Sequence, residues 1–347
     1  CFDLAKMYAN GWHVEKDEDM AVQYIQQALE AYIALEAETP NAFYEYQIGR
    51  IYNLNNALQD YEKARKYFQL AANAGNEYAM YALGNLYYYG NGVELDYETA
   101  YDWYVKSAEK KMPYVYYRLG DMLRKGVGCD IDIERSDFYF AQMIPQSLHN
   151  IEKENYLNCY RLGKLFERGW GTAVDMDKAV KCYEAACLSN YTQAELALGN
   201  LYYAGKSVEQ NYEKALEHYE QCIEEKVPQA LYRLGMMYKD GLGCTADEER
   251  SNYFFSELIK NNIDNITKEN YLNCYMLGKI FEHGLGTEKN IEKAIQCYKT
   301  AGQADCPEAD YALANLYYYG TEVAQDYEKA FQLYMKCAEK NTLLLLL

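Results

Sequence analysis

Ser107 and Lys110 stand at the Ser-x-x-Lys spacing of acyl-transferring serine enzymes, in which an amine lies one helical turn from the nucleophilic hydroxyl. The companion Ser-Asp-Asn and Lys-Thr-Gly elements are missing, so the pair predicts no acyl-enzyme. Asp130, Asp132 and Glu134 alternate like the oxygen ligands of a calcium loop, but no glycine stands at the sixth place. The 11 cysteines include no Cys-x-x-Cys pair, which argues against a tetrahedral zinc site. His13, His149, His218 and His283 are scattered, with neither His-x-x-x-His nor His-Glu-x-x-His spacing. Several Gly-x-Gly turns precede helices but follow no strand, so they are not dinucleotide loops. The sequence therefore predicts no enzyme, no metal and no cofactor.

Charge narrows the class further. The 347 residues carry 52 acids against 34 bases, a formal charge of −18. That balance argues against autonomous nucleic-acid binding, which needs Lys and Arg to displace counterions, and against anionic membrane surfaces. The longest aliphatic run is five leucines, Leu343 to Leu347, too short to span a bilayer.

The elements that position these residues recur. Taking Leu83-Gly84 as an anchor, equivalents appear at Leu4-Ala5, Ile48-Gly49, Leu119-Gly120, Leu162-Gly163, Leu198-Gly199, Leu234-Gly235, Leu277-Gly278 and Leu313-Ala314. Nine units thus tile the chain, near 1–42, 43–79, 80–115, 116–158, 159–194, 195–230, 231–273, 274–309 and 310–342. A block of two short units and one long one is duplicated: Lys153–Tyr160 returns as Lys268–Tyr275, 115 residues on. Cys129/Cys244, Cys159/Cys274, Cys182/Cys297 and Cys222/Cys337 keep the same interval.

Each unit reads as an antiparallel helix pair. Three residues past the anchor comes an aromatic in every unit but the fourth, which has Leu123. Six past it comes a glycine, or Asn55 in the second unit, residues that tolerate the left-handed close of a helix. Asp17, Asp60, Asp96, Asp132, Asp175, Asn211, Asp247, Asn290 and Asp326 are placed to cap the second helix. Four past the cap is Ala or Ser, and eight past it an aromatic or Ile. A small residue facing a large one suits close helix packing. No strand alternation is present. The fold class is all-α.

These residues resemble the Sel-one-like repeat family, relatives of the tetratricopeptide repeats. Tyr81-Ala-Leu-Gly-Asn-Leu-Tyr-Tyr-Tyr-Gly-Asn-Gly-Val93, continuing to Asp96 and Ala100-Tyr-Asp-Trp-Tyr104, follows that family's pattern almost throughout. The resemblance implies a right-handed α-α superhelical solenoid of about nine helix pairs that holds proteins together, and a bacterial source. The Cys-x7-Cys staple of some relatives is not matched here, so reduced structural thiols and a cytoplasmic location are expected. The long units are expected to carry an extended second helix or loop.

The chain's 40 tyrosines pose the functional question. Eighteen fill framework registers, where packing explains them. By analogy with tetratricopeptide repeats, positions one, four and five past the anchor face a groove. Those positions place Tyr88, Tyr89, Tyr203, Tyr318 and Tyr319 there, with Asn85, Asn200 and Asn315 one turn before Tyr88, Tyr203 and Tyr318. Tyr81 joins them, and Arg124, Lys164 and Lys279 make the groove mixed in charge. Tyr supplies contact area and Asn an adaptable hydrogen bond. The expected function is a scaffold binding a peptide or protein partner in its concave face. The alternative is a regulatory or positioning arm of a larger enzyme, with a fused catalytic domain. Residue 1 is Cys, inside an expected helix, which reads as a piece of something larger. The terminal leucine run reads as unidentified side chains at the start of a tenth unit.

Overall fold

The computed structural model describes the chain except residues 1, 12, 55–56, 150–155, 268–269, 305 and 347. It consists of helix pairs: α1 (Phe2–Asn10) with α2 (Glu18–Glu38), α3 (Ala42–Tyr52) with α4 (Tyr61–Asn73), and α5 (Glu77–Tyr89) with α6 (Tyr97–Glu109). The series continues with α7 (Val115–Lys125) and α8 (Ile133–His149), α9 (Tyr156–Arg168) and α10 (Met176–Cys187), then α11 (Thr192–Ala204) and α12 (Tyr212–Glu220). It closes with α13 (Pro228–Asp240) and α14 (Glu248–Asn262), α15 (Tyr271–His283) and α16 (Ile291–Gln303), and α17 (Pro307–Tyr319) and α18 (Tyr327–Leu346). Among the described residues there is no strand, and no helix is long and apolar enough to cross a membrane. By internal contacts the chain parts into two compact units, Cys1–Ala179 and Val180–Leu347.

Local chemistry sets where the second helices begin and where most first helices end. All nine expected caps accept a hydrogen bond from the backbone N–H three residues on, at 2.9–3.0 Å. Substituting such a cap by alanine costs about 1 kcal/mol. The cap's own N–H donates back to the first helix, as in Asp96 to the Tyr87 carbonyl at 3.0 Å and Asp247 to the Tyr238 carbonyl at 2.8 Å. That closure fixes the interval between glycine and cap. Gly11, Gly90, Gly126, Gly169, Gly205, Gly241, Gly284 and Gly320 all sit in the left-handed region, with φ of 62–69°. Asn55 lies outside the described residues.

The long units extend the second helix. α2 spans 21 residues and α8 spans 17, while α14 spans 15 and runs into a 3-10 turn, Ile263–Asn265. The anchor glycine has a sharper purpose than the residue pattern suggested. At Gly49, Gly84, Gly120, Gly199, Gly235 and Gly278 the second-helix ring packs against it, so a Cβ on Gly199 would fall 2.7 Å from Tyr219, and one on Gly49 2.6 Å from Phe68. Tyr104, Tyr183, Tyr219, Tyr298, Phe68, Phe140 and Phe255 are almost fully buried. Burying such a ring stabilises by about 1.5–3 kcal/mol. Ser136 and Ser251, in place of alanine at the second-helix register, donate to the Gly120 and Gly235 carbonyls at 2.8 Å. The hydroxyls thereby close the same helix contact.

Candidate functional site

The residues of catalytic type are engaged in the framework. The Ser107 hydroxyl is buried and donates to the Glu77 carbonyl at 2.8 Å, away from any nucleophilic role. Asp132 is occupied as a cap. Among the described residues Cys129, Cys159, Cys187, Cys222, Cys244, Cys274, Cys297 and Cys306 are free thiols, and burial pushes Cys222 and Cys297 up to about 12 and Cys306 up to about 11. Such thiols are poor nucleophiles at neutral pH. His218 Nδ1 lies 2.7 Å from Glu195 Oε2. Among the described residues no cluster of three His, Cys, Asp or Glu could hold a metal.

The asparagines of the expected groove are bonded within their own units. The hydroxyls of Tyr104, Tyr219 and Tyr334 donate to Oδ1 of Asn85, Asn200 and Asn315 at 2.8, 2.8 and 2.6 Å. Their amide nitrogens keep no protein partner among the described residues. The +4 tyrosines form a second layer over these links. Tyr88 packs against Tyr97 at 5.2 Å and Tyr104 at 6.4 Å between ring centroids, and Tyr203 against Tyr212 and Tyr219 at 5.5 and 6.5 Å. Tyr318 repeats the arrangement with Tyr327 and Tyr334 at 5.5 and 6.3 Å.

An arginine from the following helix covers two of the three clusters. The Arg118 guanidinium lies 5.1 Å above Tyr88 and bonds the Tyr89 hydroxyl, while Arg233 lies 4.5 Å above Tyr203. Each such contact is worth about 0.5–2 kcal/mol. Tyr318 and Tyr319 are 45% and 65% exposed, with no cation over them among the described residues.

Two grooves open on the first helices of the pairs. In the first compact unit a groove of about 440 Å³ is lined by Phe43, Tyr46, Tyr78, Tyr81 and Tyr114, with Gln47, Arg50 and Met112 completing it. In the second a groove of about 370 Å³ brings together Lys279, Asn315, Tyr275, Tyr311, Glu282 and Glu308. Lys279 Nζ lies 3.8 Å from Glu282, which also accepts from the Tyr298 hydroxyl at 2.5 Å and lies 3.8 Å from His283 Nε2. Of the expected residues, Tyr81 thus falls in one groove and Lys279 and Asn315 in the other. Arg124 and Lys164 belong elsewhere, around Trp170: the Arg124 guanidinium lies 4.8 Å over that ring and Lys164 Nζ 6.0 Å from it. Arg124 also pairs with Asp137. Burial and the neighbouring Lys125 and Arg168 hold the Lys164 amine below its usual range, against the pull of Asp121.

Phe43, Tyr78 and Tyr114 were not anticipated from the repeat pattern. They stand six before the anchor glycine, on the first turn of the helix or just before it, and are 41–50% exposed. Their signal was available as an aromatic ladder, 43/46, 78/81 and 114/117, recurring every 35–36 residues. The same register then turns to Leu157, Gln193, Gln229, Leu272 and Glu308.

The family model for the Sel1 repeat matches residues 1–32, 42–76, 77–112, 113–143, 159–191, 192–224, 228–262, 274–306 and 307–341. The chain belongs to the Sel1 repeat family. Its nine matched segments coincide with the nine helix pairs. Among solved structures, it is similar to a protective antigen of uropathogenic Escherichia coli strains displaying an SLR fold. The identity is 29% and the TM-score 0.54, over 90% of this chain and 64% of that one. The chain therefore spans a little under two thirds of that relative's length. A Sel1 repeat protein from Oxalobacter formigenes matches at 23% identity and TM-score 0.50, over 92% of this chain and 89% of that one. A comparison with curated protein sequences gave no match. The Sel1 assignment accounts for the caps, the anchor glycines and the buried second-helix rings, and leaves the exposed ladder unexplained.

Proposed function

We propose that this Sel1 array is a non-catalytic interaction scaffold that takes a peptide or protein partner on the exposed faces of its first helices. The observation that carries the reading is the groove of Phe43, Tyr46, Tyr78, Tyr81 and Tyr114. Three of these rings expose 41–50% of their surface side by side, at a register where other units hold Leu, Gln or Glu. The fold does not need aromatics there. Clustered exposed aromatics beside an arginine are the composition of interaction surfaces. A peptide library displayed on phage, panned on the wild-type chain and counter-screened on Tyr78→Ala/Tyr114→Ala, tests it. Selected peptides should lose the variant. Peptides that bind both proteins equally would place the binding surface elsewhere.

A further inference from the structure

A second surface departs from the repeat by charge. α7 and α9 carry Arg118, Arg124, Lys125, Arg161, Lys164 and Arg168 against Asp121 and Glu167, a net of four positive charges in a chain of −18. The two helices meet: the Arg161 guanidinium lies 4.8 Å over the Tyr117 ring, and Lys164 feels both Asp121 and Lys125. Trp170 gathers Arg124, Lys164 and Arg168 within 4.8–6.0 Å and stacks on Phe140 at 5.6 Å. The Nε atoms of Arg118 and Arg124 are buried with no hydrogen-bond acceptor.

Gathering like charges is costly, and the duplicated block shows that the fold does without it. At the positions 115 residues on, Lys125, Arg161, Arg168 and Trp170 become Asp240, Met276, His283 and Leu285. Met276 and Leu285 are buried at 8% exposure, where they do the same packing without charge. α13 and α15 retain a net of only one positive charge, from Arg233, Lys239 and Lys279 against Asp240 and Glu282. Helix packing alone therefore does not account for the cations of α7 and α9.

We propose that the α7–α9 face is a docking surface for an acidic peptide segment of a partner protein, its carboxylates meeting Lys125, Lys164 and Arg168, with the charge of the buried Arg161 close by. The inference deepens the scaffold reading and rests on it. Charge complementarity selects the occupant. The face spans two neighbouring helices, about 8–10 Å apart, enough for a few carboxylates. A nucleic acid is disfavoured because the rest of the chain carries −22, which repels a longer polyanion.

The second block supplies substitutions the fold already accepts. Fluorescence anisotropy of fluorescein-labelled decaglutamate is measured on the full chain and on Lys125→Asp/Arg161→Met/Arg168→His. The wild type should bind decaglutamate in low salt and weaken as salt rises, and the variant should lose at least tenfold. Lys125→Asp alone, on an exposed side chain, should lose severalfold and covers the case in which the triple variant misfolds. Equal binding by wild type and variants overturns the proposal, as does no binding at low salt. A labelled dT10 bound more tightly through the same residues, or self-association abolished by the same substitutions, overturns it in favour of those occupants. Phage-selected groove peptides that still bind the triple variant while decaglutamate binds neither protein would overturn this proposal and leave the scaffold reading standing.

Discussion

The Tyr104 hydroxyl donates to Asn85 Oδ1 at 2.8 Å from a ring that lies against Gly84, on the opposite helix of the same unit. The link recurs as Tyr219–Asn200 and Tyr334–Asn315. Where the second helix carries Phe68, Phe140 or Phe255, the asparagine register holds Arg50, Asp121 or Met236 instead. Asparagine at this register thus occurs only opposite a tyrosine, whereas Tyr183 and Tyr298 stand opposite Lys164 and Lys279, and the Tyr298 hydroxyl donates to Glu282 instead.

Removing one partner from this link should cost more than removing both. Asn85→Ala leaves the buried Tyr104 hydroxyl without an acceptor, at a cost of about 1–3 kcal/mol. Tyr104→Phe in the same background should recover much of that loss, since three other units use Phe there. Urea denaturation of the two variants and the double variant checks it; additive losses would mean the link carries no coupling.

The anchor glycine makes a sterner demand. A Cβ on Gly199 would meet the Tyr219 ring at 2.7 Å, and on Gly235 the Phe255 ring at 2.7 Å. Alanine at either site should destabilise by about 1–3 kcal/mol through overpacking. Thermal melts followed by circular dichroism should fall by several degrees. An unchanged melt would contradict the ring-on-glycine contact.

Legibility in the sequence followed the origin of each constraint. Caps, left-handed glycines and second-helix rings are dictated by chemistry inside one unit, so the caps recur nine times and the glycines and rings eight times each. The Asn85, Asn200 and Asn315 register reads as recognition in the sequence, and a residue list does not show that a hydroxyl 19 residues away takes up each acceptor. The ladder of Phe43, Tyr78 and Tyr114 was missed for the opposite reason. It appears in only three units and is not a framework register. The cations of α7 and α9 became a surface only when the helices were brought side by side. In the sequence Arg124 and Lys164 read only as cations of the expected groove, contributed by separate units.

Alkaline pH should expose the buried phenols. Burial, with Tyr275 nearby, raises Tyr232 to about 12, and burial with the Glu220 acceptor raises Tyr238 to about 12. A phenol raised in the folded state contributes stability that is intact below its unfolded value of about 10 and is lost as pH rises toward 12. Stability should therefore fall between pH 10 and 12, with the native absorbance at 295 nm rising in two stages. A single titration near pH 10 with unchanged stability would contradict the burial of these rings.

The exposed ladder should be dispensable to the fold. Tyr78→Ala and Tyr114→Ala each remove a side chain 41–45% exposed, so stability should change by less than about 0.5 kcal/mol. Denaturation midpoints matching wild type, beside lost peptide binding, would separate recognition from packing. A large drop in midpoint would make the ladder structural.

The most direct test of the scaffold reading is site-specific photocrosslinking in cells that express the chain. A benzophenone amino acid is placed at Tyr78 in the aromatic groove and, as a control, at Arg65, exposed on the second helix of the preceding pair. The reading predicts discrete protein adducts from position 78 and none from position 65. Adducts from position 65 with none from position 78 would contradict it.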